Sequence, residues 1–106
     1  MRARKNGMNL LEVISIRTAG IIEAGKVFEI CRQMFQSIAD EDLLKLTVFS
    51  NARYATDISS HLQWKSGSGS ESILGAEMSS ALVDLGLVSH TLWIEQEELT
   101  TAPLWR

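Results

Sequence analysis

The sequence predicts one α+β domain in which four strands and two helices follow the order β-α-β-β-α-β. Three observations carry this. The spacing of apolar residues switches from every second position to every third and fourth, and back, twice along the chain. The chain divides at the short link 51–56 into two halves that each read strand, helix, strand, and the one low-complexity stretch, "KSGSGSES" at 65–72, leads into the second helix. The length, 106 residues, suits a single domain.

The first element is "NLLEVISIRT", residues 9–18. Leu10, Ile14 and Ile16 share one face, and Leu11 and Val13 share the other. Apolar side chains on both faces predict a central strand covered on both sides. From Gly20 to Ile38 the period becomes helical. Ala24, Val27, Phe28, Cys31, Met34, Phe35 and Ile38 form one stripe, opposite Glu23, Lys26, Glu29, Arg32, Gln33 and Gln36. Thr18 or Gly20 is the expected cap, and "ADED" at 39–42 ends the helix. "LLKLTVFS" at 43–50 is the second strand, with Leu44, Leu46 and Val48 on one face. The short link "NARYAT" leads to the third strand, "DISSHLQW" at 57–64, and predicts an antiparallel hairpin. This third strand alternates strictly. Ile58, Leu62 and Trp64 lie on one side, and Asp57, Ser59, His61 and Gln63 on the other.

The second helix has the stripe Leu74, Met78, Ala81, Leu82 and Leu85. Ser68 and Glu71 have capping-box spacing, with Ser70 and Ser72 as equal alternatives for the start. Gly86 has the position of a glycine closing the helix, with Leu87 or Val88 as its apolar contact. "SHTLWIEQEEL" at 89–99 is the fourth strand. The expected organisation is a basic, frayed arm at 1–8, the domain at 9–99 and a tail at 100–106.

This element order is the split β-α-β pattern. Right-handed crossovers then give a strand order of 4-1-3-2, with both helices on one face of an antiparallel sheet. The helices would cover Ile14, Ile16, Leu44, Leu46, Val48, Ile58, Leu62, Trp64, Leu92 and Ile94. Leu11, Val13, Phe49 and Trp93 are left on the second face beside Ser15, Arg17, Lys45, Thr47, Thr91, Glu95 and the polar side of the third strand. An apolar patch of that size marks an interaction surface. Its simplest cover is the same face of a second copy, which predicts a homodimer.

Composition narrows the function classes. Hydrophobic residues make up 45%, too many for a disordered chain. Setting aside Arg2, Arg4 and Lys5 leaves seven basic against thirteen acidic residues, a net charge of −6, which argues against nucleic acid as a partner. No apolar run reaches the roughly 18 residues of a membrane span, and no apolar stretch follows the N-terminal charges as in a secretory signal. One cysteine, Cys31, allows no internal disulfide. The expected location is therefore the reducing cytoplasm.

In element order and in the polarity of its two faces, the chain resembles the dimeric α+β barrel group, ferredoxin-like proteins that include the antibiotic-biosynthesis-monooxygenase-like proteins. The resemblance spans nearly the whole chain. It implies two subunits packed sheet to sheet around a cavity for a small organic ligand. It brings no motif whose catalytic residues transfer to this sequence, and fold alone licenses no chemistry.

The candidate site follows from the second face. His61, in mid-strand near Ser59 and Gln63 and across from Ser15 or Val13, is the candidate proton-handling group. Its plain structural reading is a histidine hydrogen-bonded in a dimer interface. Val13, Ser15, Phe49, Ser59, Gln63 and Trp93 are the candidate pocket residues. Asp57 lies about 13 Å along the strand, too far to pair with His61. His90 reads as an edge or loop histidine with a structural role. Cys31 reads as a core thiol. Two histidines and one cysteine without ligand spacing make no metal site. "SGSGS" lacks the Lys-Ser/Thr of a phosphate loop, and no Gly-x-Ser-x-Gly elbow is present. Arg53 and Tyr54 could rim a cavity, and Glu95, Glu97 and Glu98 read as a solvated strand end. Two functions fit: a ligand-binding or non-catalytic homodimer, and, as the alternative the resemblance implies, a cofactor-independent monooxygenase-like enzyme working in the sheet cavity. Neither calls for a cofactor.

Overall fold

A computed structural model describes residues 9–65 and 71–101. The strands are β1 (Leu10–Thr18), β2 (Leu43–Ser50), β3 (Asp57–Trp64) and β4 (Gly86–Ile94), and the helices are α1 (Ile21–Gln36) and α2 (Ile73–Leu82). They form one antiparallel sheet in the order β2-β3-β1-β4, the ferredoxin-like arrangement. The expected arm at 1–8, two of the proposed capping serines (Ser68 and Ser70) and the end of the tail lie outside the described residues.

Both helices pack on one face of the sheet. The core between them holds Leu10, Ile14 and Ile16 of β1, Ile58, Leu62 and Trp64 of β3, Ala24, Val27 and Cys31 of α1, and Leu74, Met78 and Leu82 of α2. The strict alternation of β3 appears as strict alternation of burial, because its neighbours β1 and β2 leave it no free edge. Between β2 and β3, Asn51 organises the link. Its Oδ1 accepts hydrogen bonds from the backbone N–H groups of Arg53 and Tyr54 at 2.8 and 3.0 Å, an Asx turn that reverses the chain.

Several expectations are corrected. Leu44 faces solvent at 50% exposure, and Leu43 packs on the core instead. The cause is a bulge between Leu43 and Lys45, which shifts parity by one residue, so that Leu43 pairs with Trp64 and Lys45 with Gln63. Phe35 is 46% exposed because α1 turns the Val27–Cys31 line squarely onto the sheet and leaves Phe35 at the flank. The second helix ends at Leu82, and a single 3-10 turn, Val83–Leu85, leads directly into β4. Gly86 is thus the first strand residue rather than a helix-closing glycine. It pairs with Thr18 so closely that a Cβ there would strike the Arg17 carbonyl. β4 therefore runs 86–94, not 89–99. Its length is set by β1, which offers partners only from Thr18 to Leu10. Ile94, at the far end of this edge strand, is 53% exposed and not covered by the helices.

Candidate functional site

The face away from the helices is built in cross-strand rows fixed by the register. Thr47, His61, Val13 and Thr91 form the middle row. Lys45, Gln63, Leu11 and Trp93 lie on one side of it, and Phe49, Ser59, Ser15 and Ser89 on the other. Beyond the serines come Asp57, Arg17 and Leu87, with Arg17 Nε 3.4 Å from the Asp57 carboxylate. All seven candidate residues thus share one face, with His61 directly opposite Val13.

His61 is half-buried. Its Nε2 lies 2.9 Å from Ser59 Oγ, which lies 3.3 Å from Ser15 Oγ. The Phe49 ring stands 4.7 Å from the imidazole, centre to centre, tilted by 59°. Burial pushes the His61 pKa below its ordinary value. Among the described residues no carboxylate contacts the ring, and the loss of hydration is what lowers the pKa. The neutral ring carries one lone pair and one N–H, and it can accept a proton from a molecule resting on the sheet.

Two concavities flank the middle row. One, about 440 Å³, is lined by Ser15, Ser59, Phe49, Arg17, Asp57 and Leu87 among others. The second, about 390 Å³, is lined by His61, Gln63, Phe49, Trp93, Lys45 and Leu11 among others. Phe49 borders both, whereas Val13 borders neither. Trp93 donates from Nε1 to Thr91 Oγ1 at 3.0 Å, which holds its ring across the strand, yet it remains 59% exposed. Tyr54, expected at a rim, is exposed on the hairpin link and lines neither concavity.

Under the helices lies a second polar cluster that the pattern reading missed. Glu12 is fully buried. Its carboxylate accepts from Trp64 Nε1 at 3.0 Å, from the Ser72 backbone N–H at 3.1 Å and from Ser72 Oγ at 2.5 Å. His90 Nε2 lies 2.6 Å from the same group. Trp64 and His90 are its diagonal neighbours on β3 and β4, since Glu12 itself pairs with Leu62 and Leu92. Ser72 caps α2 by accepting from the Gly75 N–H at 2.8 Å, so the buried carboxylate also anchors the start of that helix. Gly75 leaves room for it, because a Cβ there would collide with the Glu12 carboxylate. His90 is accordingly held beneath α2 and is not a loop residue. The signal was present in the sequence: one acidic residue at an inward position between Leu10 and Ile14.

Cys31 is buried 3.8 Å from Ser60 Oγ. Burial raises its pKa, outweighing the lowering by that hydrogen bond, and so disfavours the thiolate. Among the described residues, no group of three His, Cys, Asp or Glu is placed to hold a metal ion, and no helix is long and apolar enough to cross a membrane.

No family model matches the sequence, and no curated protein matches it. Solved structures do match. A protein from Methanosarcina mazei Go1 superposes with a TM-score of 0.67 at 11% identity, over 85% of this chain and 95% of that one. SnoaB, a cofactor-independent oxygenase from Streptomyces nogalater, gives 0.63 at 14% identity over 89% and 99%. The monooxygenase from the gene ActVA-Orf6 of Streptomyces coelicolor, solved with nanaomycin D, gives 0.65 at 14% identity over 90% and 94%. What this chain shares with them is the ferredoxin-like α+β fold used by antibiotic-biosynthesis-monooxygenase-like proteins.

Proposed function

We propose that this chain is a cytoplasmic homodimer closed over its open sheet face, and that the closed space binds a small, partly apolar organic molecule beside His61. The observation that carries the reading is the face itself. Phe49 and Trp93 are 50% and 59% exposed there, around a central imidazole that burial keeps neutral. Exposed aromatic side chains gathered around a few polar groups favour association and ligand binding over solvent. A two-fold axis near the middle row would bring the concavities of two copies together and exclude water from both. The mixed lining suits a ligand with a flat apolar body and at least one hydroxyl or carbonyl, received by Gln63, Ser59 or His61.

A second reading is supported by the fold shared with SnoaB, described as a cofactor-independent oxygenase. In it the same pocket is an active site, and His61 takes a proton from the bound substrate at a ring nitrogen.

Sedimentation at micromolar concentration tests the common premise and should give twice the chain mass; a monomer throughout that range overturns it. His61→Ala then separates a site from an adhesive contact. Loss of ligand binding or turnover with the dimer intact supports a site, and a weakened dimer with binding unaltered counts against one.

A further inference from the structure

We propose that His90 is a proton-operated latch that ties the entrance of α2 to the sheet. The inference rests on the partners of both ring nitrogens. Nε2 faces the buried Glu12 carboxylate at 2.6 Å. Nδ1 faces two groups, Glu71 Oε2 at 3.0 Å and Ser79 Oγ at 3.3 Å. From β1 the ring thus meets Glu12, from the residue before the α2 cap it meets Glu71, and from α2 itself it meets the Ser79 hydroxyl.

These partners differ in what they can do. A carboxylate only accepts, whereas a hydroxyl both donates and accepts. Carboxylates on both nitrogens are satisfied together only when both carry a proton, so the contact with Glu71 belongs to the imidazolium. When one proton leaves, Nε2 keeps its own, because the fully buried Glu12 oxygen has no water to replace it. The bare nitrogen is then Nδ1. Its lone pair repels the Glu71 carboxylate and accepts from the Ser79 hydroxyl. Glu71, whose side chain is 57% exposed, turns to solvent without loss. The protonated latch therefore holds residue 71 and the neighbouring Ser72 cap to the sheet, and the neutral latch releases residue 71 while Ser72 stays on Glu12. Ser79 is the group that makes the released state stable.

The test is nitrogen-15 NMR of the histidine rings in the full chain over the pH range in which it stays folded, with His61→Gln used to assign the two rings. The expected result is a His90 ring protonated at both nitrogens at low pH that loses only the Nδ1 proton as pH rises, while the backbone amide of Glu71 shifts over the same interval. At one fixed pH within that interval, Glu71→Gln should lower the share of rings carrying the Nδ1 proton. Ser79→Ala should raise that share, because it removes the donor that serves the neutral ring. Both changed side chains lie outside the core. Loss of the proton from Nε2 first, a ring that never carries two protons, or an unchanged share in both variants would overturn the latch.

Discussion

The two faces of the sheet each carry one histidine, and they treat it in opposite ways. Under the helices, His90 is fixed between the carboxylates of Glu12 and Glu71, and Glu12 is itself saturated by Trp64 and Ser72. On the open face, the hydrogen-bond partner of His61 among the described residues is Ser59, and the tilted Phe49 ring stands beside it. The first arrangement uses its polar groups up in holding the fold. The second leaves hydrogen-bonding capacity and aromatic surface unused. A histidine held between carboxylates acts within the fold, whereas one half-shielded among hydroxyls and aromatics is available to a ligand or a partner.

Removing the centre of the closed cluster should have the largest effect. Glu12→Ala strands the Trp64 indole N–H, the Ser72 groups and His90 together, and should cost about 3–5 kcal/mol in a urea titration. A loss below about 1 kcal/mol would erase the contrast between the faces. Gly75→Ala probes the same place sterically by pressing a methyl group onto the carboxylate, with an expected cost of about 1–3 kcal/mol.

Next comes the bulge that decides which leucine belongs to which side. Leu43→Ala should cost about 2 kcal/mol, as core truncations do. Leu44→Ala should stay within about 0.5 kcal/mol, as for a surface position. Equal losses would mean that β2 runs in unbroken register.

On the open face the expected changes concern association and not folding. Val13→Arg puts a charge in the middle row and should convert a dimer into a monomer in sedimentation while the urea midpoint moves little. A large loss of folding stability would show that this face is already internal to one chain.

The smallest effect is electrostatic. The His61 pKa is lowered in the folded chain, so below the ordinary histidine value of about 6.5 the unfolded chain binds the proton more readily than the folded one. Stability from this residue is therefore present above about pH 6.5 and is lost as pH falls through the depressed folded value. His61→Gln should flatten that part of the stability–pH curve, and an unchanged slope would remove the desolvation argument.

Much of this was legible from period alone. Alternation in β3 separated Ile58, Leu62 and Trp64 from Ser59, His61 and Gln63, and the element order led to the sheet order. The misreadings on the sheet share one cause, namely reading each strand without its neighbours. Two adjacent leucines, Leu43 and Leu44, give no local hint of a bulge that exists only relative to β3. The end of β4 is set by where β1 stops, not by the residues after Ile94. Glu12 was passed over because its partners come from β3, β4 and the start of α2, and no local window contains them all.

Phe35 and Phe49 allow the most direct measurement. They are the same residue type, 46% and 50% exposed in the single chain, on the helix side and the open face respectively. Hydroxyl-radical footprinting at micromolar concentration compares them within one sample. If the open face is closed by a second copy, Phe49 should be oxidised several-fold more slowly than Phe35, and dilution should bring the two rates together. Equal rates at every concentration would contradict closure of that face and the site proposed within it.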